Sequence, residues 1–389
     1  MRLLRIIGNN LANFMEGTFD VNFVAMDRVP KDSELYCVGK HIYLQNTISF
    51  VGVNASGKTK TLNMIEYVSS LLLNKVPLNS RSDIPFGVVD GTEFKVYFLY
   101  ENDIIEWYFT IGILDDGGRK HYYYKDEVLK GKSVSAVKNK QDIFIFDDMA
   151  KGNLYQKRSE LSAEIIEMMP DDSSITIKFN KDKYGTMFSL ANTTNLNIMA
   201  PNGMVPKEVI ALFDTSIEYL NCEQKNTYEC ELKFKNIEEV IKLRNLQEAY
   251  DYLSSGTIKG NTVYLFAIGT LLIGGYLIID EIENHFHKEL VKLLLDLFKS
   301  KSTNPKGATL IFSTHYAEIL DVIDRKDNIY ILRKNDYNIN LLNYSKEIKR
   351  NDLKKSDVLL SGVVKGTIPK YENINDFKGF LWKKLQEIK

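Results

Sequence analysis

The amino-acid sequence predicts an α/β fold with a mixed sheet, a group of antiparallel strands near the N-terminus and an inserted α+β lobe. Three observations predict it. A glycine-rich stretch, GVNASGKT (Gly52 to Thr59), stands between the apolar run TISFV and a segment of helical period. A second apolar run, YLIID, ends in Asp280 and is followed by Glu281. A third, ATLIFSTH, ends in His315, and the helical segment KELVKLLLDLFKS separates these last two, as in a strand–helix–strand unit of a parallel sheet.

The elements follow in order. LLRIIG, FDVNFVAM and TISFVGV read as strands. KTKTLNMIEYVSSLLLN, about residues 58 to 74, reads as a helix because Leu62, Ile65, Val68 and Leu72 form one apolar stripe, and Pro77 stops it. FKVYFLYEN and IIEWYFTIGIL read as antiparallel strands turned at Asn102-Asp103, and DDGG turns the second into HYYYKDEVL. Between about 130 and 250 the pattern weakens, with helices expected at 206–220 and 236–253. The resulting division is residues 1–80 and 251–345 as two halves of one head, 81–129 as its antiparallel strands, 130–250 as the inserted lobe and 346–389 as a tail.

Bulk composition narrows the class. The chain has 389 residues, 44% hydrophobic and 26% charged, which excludes a disordered protein and allows two or three domains. A net charge of −1 gives no overall pull on nucleic acid, so such binding would need a local basic patch. Cys37, Cys222 and Cys230 have no metal-ligand spacing and read as free thiols in a reducing compartment, hence a cytoplasmic protein. MRLLRIIGNN is too short and polar for a signal peptide. The uncharged stretch Val263 to Ile279 is interrupted by Gly274-Gly275. It reads as a buried helix, a turn and a strand, because a membrane span needs about 20 apolar residues.

GVNASGKT fits the phosphate-loop pattern. Such a loop wraps a polyphosphate with successive backbone N–H groups, which requires glycine at the tight positions, Gly52 and Gly57. The following helix presents unpaired N–H groups and the positive end of its dipole. The candidate binding set is Gly52, Asn54, Ala55, Ser56, Gly57, Lys58, Thr59 and Lys60, with Lys58 bridging the outer phosphates and Thr59 offering a hydroxyl to Mg²⁺. Asp280 is the second candidate metal residue, Glu281 the candidate general base, and His315 a contact to the terminal phosphate or the attacking water. LSSGT lies upstream of Asp280 and opens the long apolar helix. Ser254 or Ser255 suits an N-cap, and Gly256 admits another backbone.

Phosphate loop, Ser-Ser-Gly-Thr, Asp-Glu strand and histidine occur in the order that resembles ATP-binding-cassette ATPases. IDEIENHFH and the long gap between Lys58 and Ser254 resemble the SMC-like and overcoming-lysogenization-defect ATPases more than transporter subunits. The ending LLSGVVKGTIP is similar to tails of bacterial AAA-type ATPases that accompany toxins or effectors in phage defence. The resemblance implies a P-loop ABC-type ATPase head using ATP and Mg²⁺. It implies a homodimer, or higher homo-oligomer, in which Ser254, Ser255 and Gly256 cap the γ-phosphate held by the opposite copy. It places Asn284 and His285 at the dimer seam and implies a separate effector, a toxin or nuclease, with no membrane partner. The family's metal-linked glutamine is not evident; Gln141 and Gln156 are candidates, as are Asn13 and Phe14 for adenine stacking. The tail after His315 lacks a histidine or an acid cluster for a two-metal nuclease, and the pairs Asp115-Asp116, Asp147-Asp148 and Asp171-Asp172 read as turns. Three other readings are a DNA-repair or DNA-loading ATPase, a nucleotide-gated binding module with little turnover, and a transporter's energising subunit, against which the long insertion weighs.

Overall fold

The structure is a computed structural model. It describes residues 1–389 except 31–34, 40, 81–83, 86, 147–154, 180–184, 194–202, 225–227, 245, 285–286, 351–352, 365, 369–370 and 388–389.

The chain opens with strands β1 (Arg2–Leu11), β2 (Phe19–Asn22), β3 (Tyr36–Gly39), β4 (Ile42–Leu44) and β5 (Thr47–Val51), then helix α1 (Lys58–Leu73). Long strands follow: β6 (Val88–Tyr100), β7 (Asp103–Asp116) and β8 (Arg119–Ser133). Next come β9 (Tyr155–Lys157), α2 (Ala163–Met168), β10 (Met187–Ser189), β11 (Gly203–Met204) and α3 (Lys207–Phe213). They lead to β12 (Ile217–Gln224), β13 (Tyr228–Phe234), β14 (Val240–Leu243) and α4 (Leu246–Ala249). The last part holds α5 (Ser255–Ile273), β15 (Tyr276–Ile279), α6 (Lys288–Lys299), β16 (Thr309–Thr314), β17 (Ile329–Asn335) and β18 (Asn338–Asn343). It ends in α7 (Tyr344–Glu347), α8 (Lys355–Leu360) and α9 (Tyr371–Glu387).

Two six-stranded sheets define the architecture. One is antiparallel, in the order β2-β1-β6-β7-β8-β9. The other is mixed, β10-β15-β16-β5-β17-β18, parallel from β10 to β17 with β18 antiparallel at the edge. Helix α1 lies between them. Leu62, Ile65, Val68 and Leu72 are buried as the apolar period predicts, but so are Met64, Tyr67 and Leu71. These side chains share one core with Phe94, Val96 and Trp107 of the antiparallel sheet and with Phe50, Ile311 and Leu332 of the mixed sheet. A helix covered on both sides hides more than one stripe. On the other face of the mixed sheet, α5 and α6 bury Ile258, Val263, Ala267, Leu294 and Phe298 against Leu277, Ile279 and Phe312.

The hairpins follow their turn chemistry. Tyr100 pairs with Asp103 across Glu101-Asn102, one residue earlier than the expected turn, and Asp116 pairs with Arg119 across Gly117-Gly118. Glu101, Gly117 and Gly118 take positive φ.

Residues 130–250 do not stay together as one lobe. The stretch 155–179 packs on the antiparallel sheet, where the fully buried Glu127 accepts from Trp107 Nε1 (2.9 Å), Ile175 N (3.1 Å), Arg158 Nη1 (3.1 Å) and Ser174 Oγ. β10 joins the mixed sheet beside β15. Only β11 to β14 form a sheet of their own, antiparallel and in that order.

Both expected helices there need correction. The span 206–220 holds only the short α3 before β12 begins, and 236–253 holds β14 and the single turn α4. The reading of three free thiols is also overturned. Cys222 and Cys230 are direct cross-strand partners on β12 and β13 and are joined by a disulfide, leaving Cys37 free and exposed among the three. The inference of a reducing compartment loses the support it took from unpaired cysteines.

Among the described residues one helix, α5, is long and apolar enough to cross a membrane, and most of it is buried in the core. Gly274 (φ 76) ends it in the left-handed conformation and turns the chain directly into β15.

Candidate functional site

The parallel strands deliver the candidate residues to one edge of the mixed sheet. β5 ends at Val51 and runs into the glycine loop, β15 ends next to Asp280 and Glu281, and β16 ends next to His315, with β16 between β15 and β5. Crevices at the carboxyl ends of parallel strands are where such sheets bind ligands.

The loop cannot carry larger residues at its two glycines. A Cβ on Gly52 would come within 2.5 Å of the Leu332 carbonyl oxygen, and one on Gly57 within 2.5 Å of Ile339. Gly57 also has φ 102 and caps α1, while Ala55 sits at φ 61. Alternating left- and right-handed residues turn consecutive N–H groups to one side, which is the geometry that binds anions. Asn54, Ala55, Thr59 and Lys60 are exposed on this loop, whereas Ser56 is buried with its hydroxyl unpartnered.

Lys58 is buried, 5% exposed, and arches back over the loop. Its ammonium donates to the carbonyls of Gly52 (2.9 Å) and Val53 (3.1 Å) and to His315 Nδ1 (3.0 Å). Burial pushes its pKa down to about 8, against the pull of Asp280, Glu281 and Glu283. An ammonium has donors only, so His315 Nδ1 accepts, Nε2 carries the proton, and that proton faces Glu281 Oε1 at 3.0 Å. Glu281, His315 and Lys58 therefore form one hydrogen-bonded chain. Thr59 Oγ1 donates to Asp280 Oδ2 at 2.5 Å, bringing together the two residues expected at the metal.

Three further residues complete this edge that the motif reading did not single out. Ser313, fully buried, donates to Asp280 Oδ1 and accepts from Glu281 N at 2.8 Å; its carbonyl accepts from Ile282 N at 3.0 Å. It thereby holds Glu281 at φ 48, a left-handed conformation rare for a glutamate. Glu283 Oε1 accepts from His315 N at 2.7 Å, while its Oε2 is buried without a partner. Lys259 of α5 is 7% exposed; burial lowers its pKa, and Glu281, Asp280 and Glu283 pull it back up. A strand places residues two apart on one face, so Ser313 shares the face of His315. Lys259 lies four residues after Ser255 on α5, the spacing of neighbours on a helix surface. Both signals were in the sequence.

Ser254 is the N-cap of α5: its Oγ accepts from Thr257 N at 3.0 Å and lies 2.8 Å from Thr257 Oγ1. Ser254 is exposed, and Ser255 and Gly256 are half-buried. Among the described residues no hydrogen bond joins these three to the phosphate loop.

Of the remaining candidates, Asn284 adjoins this edge and Asn13 lies beside Ile339, whose side chain faces Gly57. Gln141 opens a short 3₁₀ turn, Gln156 accepts from Lys178, and neither bonds to the loop, Asp280 or Glu281. Phe14 is buried and packed edge-on against Phe19, so its ring is not free to stack on a base. Asn13 supplies its carbonyl to Ile339 N (2.8 Å). Asn284 N closes a turn onto the Glu281 carbonyl (2.8 Å), and His285 and Asp147-Asp148 lie outside the described residues.

These residues fit a nucleotide with Mg²⁺. The unpartnered Ser56 hydroxyl and the side-chain-free cradle at Gly52 and Gly57 suit phosphate oxygens, and Thr59 with Asp280 offers hard oxygen ligands. Among the described residues no cluster of three or more His, Cys, Asp or Glu side chains is disposed to hold a metal alone. That suits an ion that takes the rest of its ligands from phosphate and water.

Comparison with known proteins agrees at a coarse level. A family model described as "AAA domain, putative AbiEii toxin, Type IV TA system" matches residues 177–321, the stretch that carries Ser254 to Gly256, Asp280, Glu281 and His315. No curated protein matches the chain. Among solved structures, the SMC head domain from Thermotoga maritima is similar at 12% identity, covering 88% of this chain and 99% of that one, with a TM-score of 0.39. At that score the likeness decides nothing about this chain. The loop, the acid-tipped strand and the matched AAA stretch support a P-loop nucleotide-binding ATPase, on an α/β fold built on a mixed sheet.

Proposed function

We propose that the chain is an ATP hydrolase that closes into a head-to-tail dimer around two ATP molecules and uses that cycle to control a separate effector, a toxin or nuclease, in defence against phage. The observation that carries the reading is the chain Glu281–His315–Lys58 beside the Thr59–Asp280 pair, at the mouth of a glycine cradle. Lys58 leaves the loop carbonyls for the outer phosphates. Glu281 takes the proton of the attacking water, and His315 Nε2–H turns from Glu281 towards the terminal phosphate. Mg²⁺, held by Thr59 and Asp280, would neutralise charge on the phosphates.

Dimerisation is supported by the serine tip of α5, a helix N-terminus that among the described residues makes no hydrogen bond to the loop of its own chain. The matching family is described as a putative toxin of a type IV toxin–antitoxin system, which suits a part in such a system.

The test is Glu281→Gln. The variant should bind ATP, lose turnover and accumulate as a dimer when ATP and Mg²⁺ are added, seen by light scattering. A variant that turns over normally removes Glu281 from the mechanism. Binding without turnover in the unaltered protein would leave a nucleotide-gated module instead.

A further inference from the structure

We propose that the cavity at the opposite edge of the mixed sheet is a second ligand site, built for a small phosphorylated molecule with hydrogen-bonding groups, a nucleotide rather than a simple anion. The cavity measures about 790 Å³, within the roughly 300–1,000 Å³ of small-molecule pockets. It opens where β5 and β17 begin, beside the end of α6 and the segment from α7 to α8.

Its charge is unlike that of the whole molecule. Among the described residues, Arg28, Lys299, Arg325, Lys326, Lys349 and Lys355 line it against Asp27 and Asp324, in a chain whose net charge is −1. Two of these cations are neutralised: Arg325 by Asp327 at 2.6 Å and Lys299 by Asp324 at 3.1 Å. The other three lysines meet main-chain carbonyls. Lys326 donates to those of Ile348, Lys349 and Arg350 (2.9, 3.2 and 3.1 Å), Lys355 to that of Ile323 (2.5 Å) and Lys349 to that of Ser345 (3.3 Å). A carbonyl satisfies the donor but leaves the charge standing. Burial lowers the pKa of Lys355; Asp321 and Asp324 pull it up, while Lys299 and Lys326 push it further down. An anion seated among these lysines relieves that repulsion.

Cations alone would describe any anion. The second observation narrows the class. Gln45, 1% exposed, has both its amide oxygen and its amide nitrogen buried without a partner, and Asn328, 3% exposed, has an unpartnered amide oxygen. Both residues line the same cavity. Buried polar atoms without partners are rare and costly. Two acceptors and a donor in the wall of a cavity with this charge would suit a base or sugar joined to phosphate once the amides turn towards it. The position also gives the site reach. Thr47 starts β5, which leads into the phosphate loop, and Asn328 precedes β17, whose Leu332 carbonyl faces Gly52. The two edges stand about 16 Å apart along a five-residue strand.

The experiment uses the full chain with Lys58→Ala, which silences the phosphate loop, and equilibrium dialysis with labelled ADP, GDP, CDP and UDP. At least one nucleotide should bind, one per chain. The matching nucleoside and free pyrophosphate should each bind at least tenfold more weakly. Lys355→Glu should weaken binding tenfold or more. Lys349→Glu, at an exposed lysine with a single carbonyl contact, should do the same and keeps the test valid if the buried change unfolds the protein. The proposal is overturned if none of the four nucleotides binds, if binding ignores both glutamate changes, or if pyrophosphate binds as well as the nucleotide. Affinity that climbs with the length of an added oligonucleotide would also overturn it, in favour of a nucleic-acid surface.

Discussion

The phosphate-loop edge and the tip of α5 carry equally polar sequences, yet the chain treats them differently. At the loop, Lys58, Thr59, Asp280, Glu281, Ser313 and His315 bond to one another, and the network closes within one copy. At the helix tip, Ser254 caps its own helix, and among the described residues no hydrogen bond from Ser254, Ser255 or Gly256 leads to that network. The difference teaches where one copy is sufficient. The lysine, the hydroxyl and the carboxylates of the loop side come together in one chain, whereas among the described residues the tip makes no hydrogen bond to them. A second copy supplies the missing half in the proposed dimer.

The largest expected effect breaks the loop side. Glu281→Gln should lower kcat by about 10²–10⁴, the usual worth of a positioned base, while ATP binding measured by fluorescent-analogue displacement stays unchanged. The next breaks the tip side. Gly256→Asp places a carboxylate against the incoming phosphate. It should abolish ATP-dependent dimerisation and turnover yet leave ATP bound to single chains. Loss of binding itself would mean that the tip acts on its own chain's nucleotide.

A third change sharpens the comparison by loosening the closed network without removing a reacting group. Ser313→Ala removes the hydroxyl that holds both Asp280 and the Glu281 main chain. It should cost roughly 10–100-fold in kcat, as loss of an orienting partner does at metal sites, with the KM for ATP near its original value. A KM change of the same size as the kcat change would assign Ser313 a role in binding.

The smallest effect is on protons. Lys58 has its pKa lowered from 10.5 to about 8 by burial, so above pH 8 the free protein holds it mostly neutral. A bound triphosphate demands the ammonium form. ATP binding should therefore take up protons between pH 8 and 10, and affinity should be flat below about 8 and fall as pH rises above it. The same depression makes the free protein gain stability from this group as pH climbs from about 8 towards 10.5, since the unfolded chain then holds the extra proton. Calorimetry in buffers of different ionisation enthalpy reads the uptake, and Lys58→Arg should erase it. Uptake that survives in the arginine variant would place the proton elsewhere.

The sequence exposes the same contrast unevenly. β5, the loop, α1, α5 and β15 were legible because each has a strong period, a glycine stop or a motif of fixed spacing. The strands β12 to β14 were not, because IEYLNCEQ and YECELKF mix charges into a short alternation that also suits helix. What sets their register is pairing across the hairpin, Cys222 opposite Cys230. Of the candidate site, the structure brings the residues that follow directly on strand ends to their expected neighbours, Asp280 to Thr59 and His315 to Lys58. Glu283 was missed because its role lies in a contact to the His315 backbone, which no side-chain motif announces, whereas Ser313 had a signal in sharing the strand face of His315. Among the adenine and glutamine candidates, Phe14 is taken up by the core and Gln156 by Lys178.

The most direct test of the two-sided nucleotide is the structure of the Glu281→Gln protein with ATP and Mg²⁺. It should show a two-fold pair in which Ser255 and Gly256 of each copy lie within hydrogen-bond reach of the γ-phosphate on the other copy's loop. Nucleotides bound with every Ser255 turned away from them would contradict it.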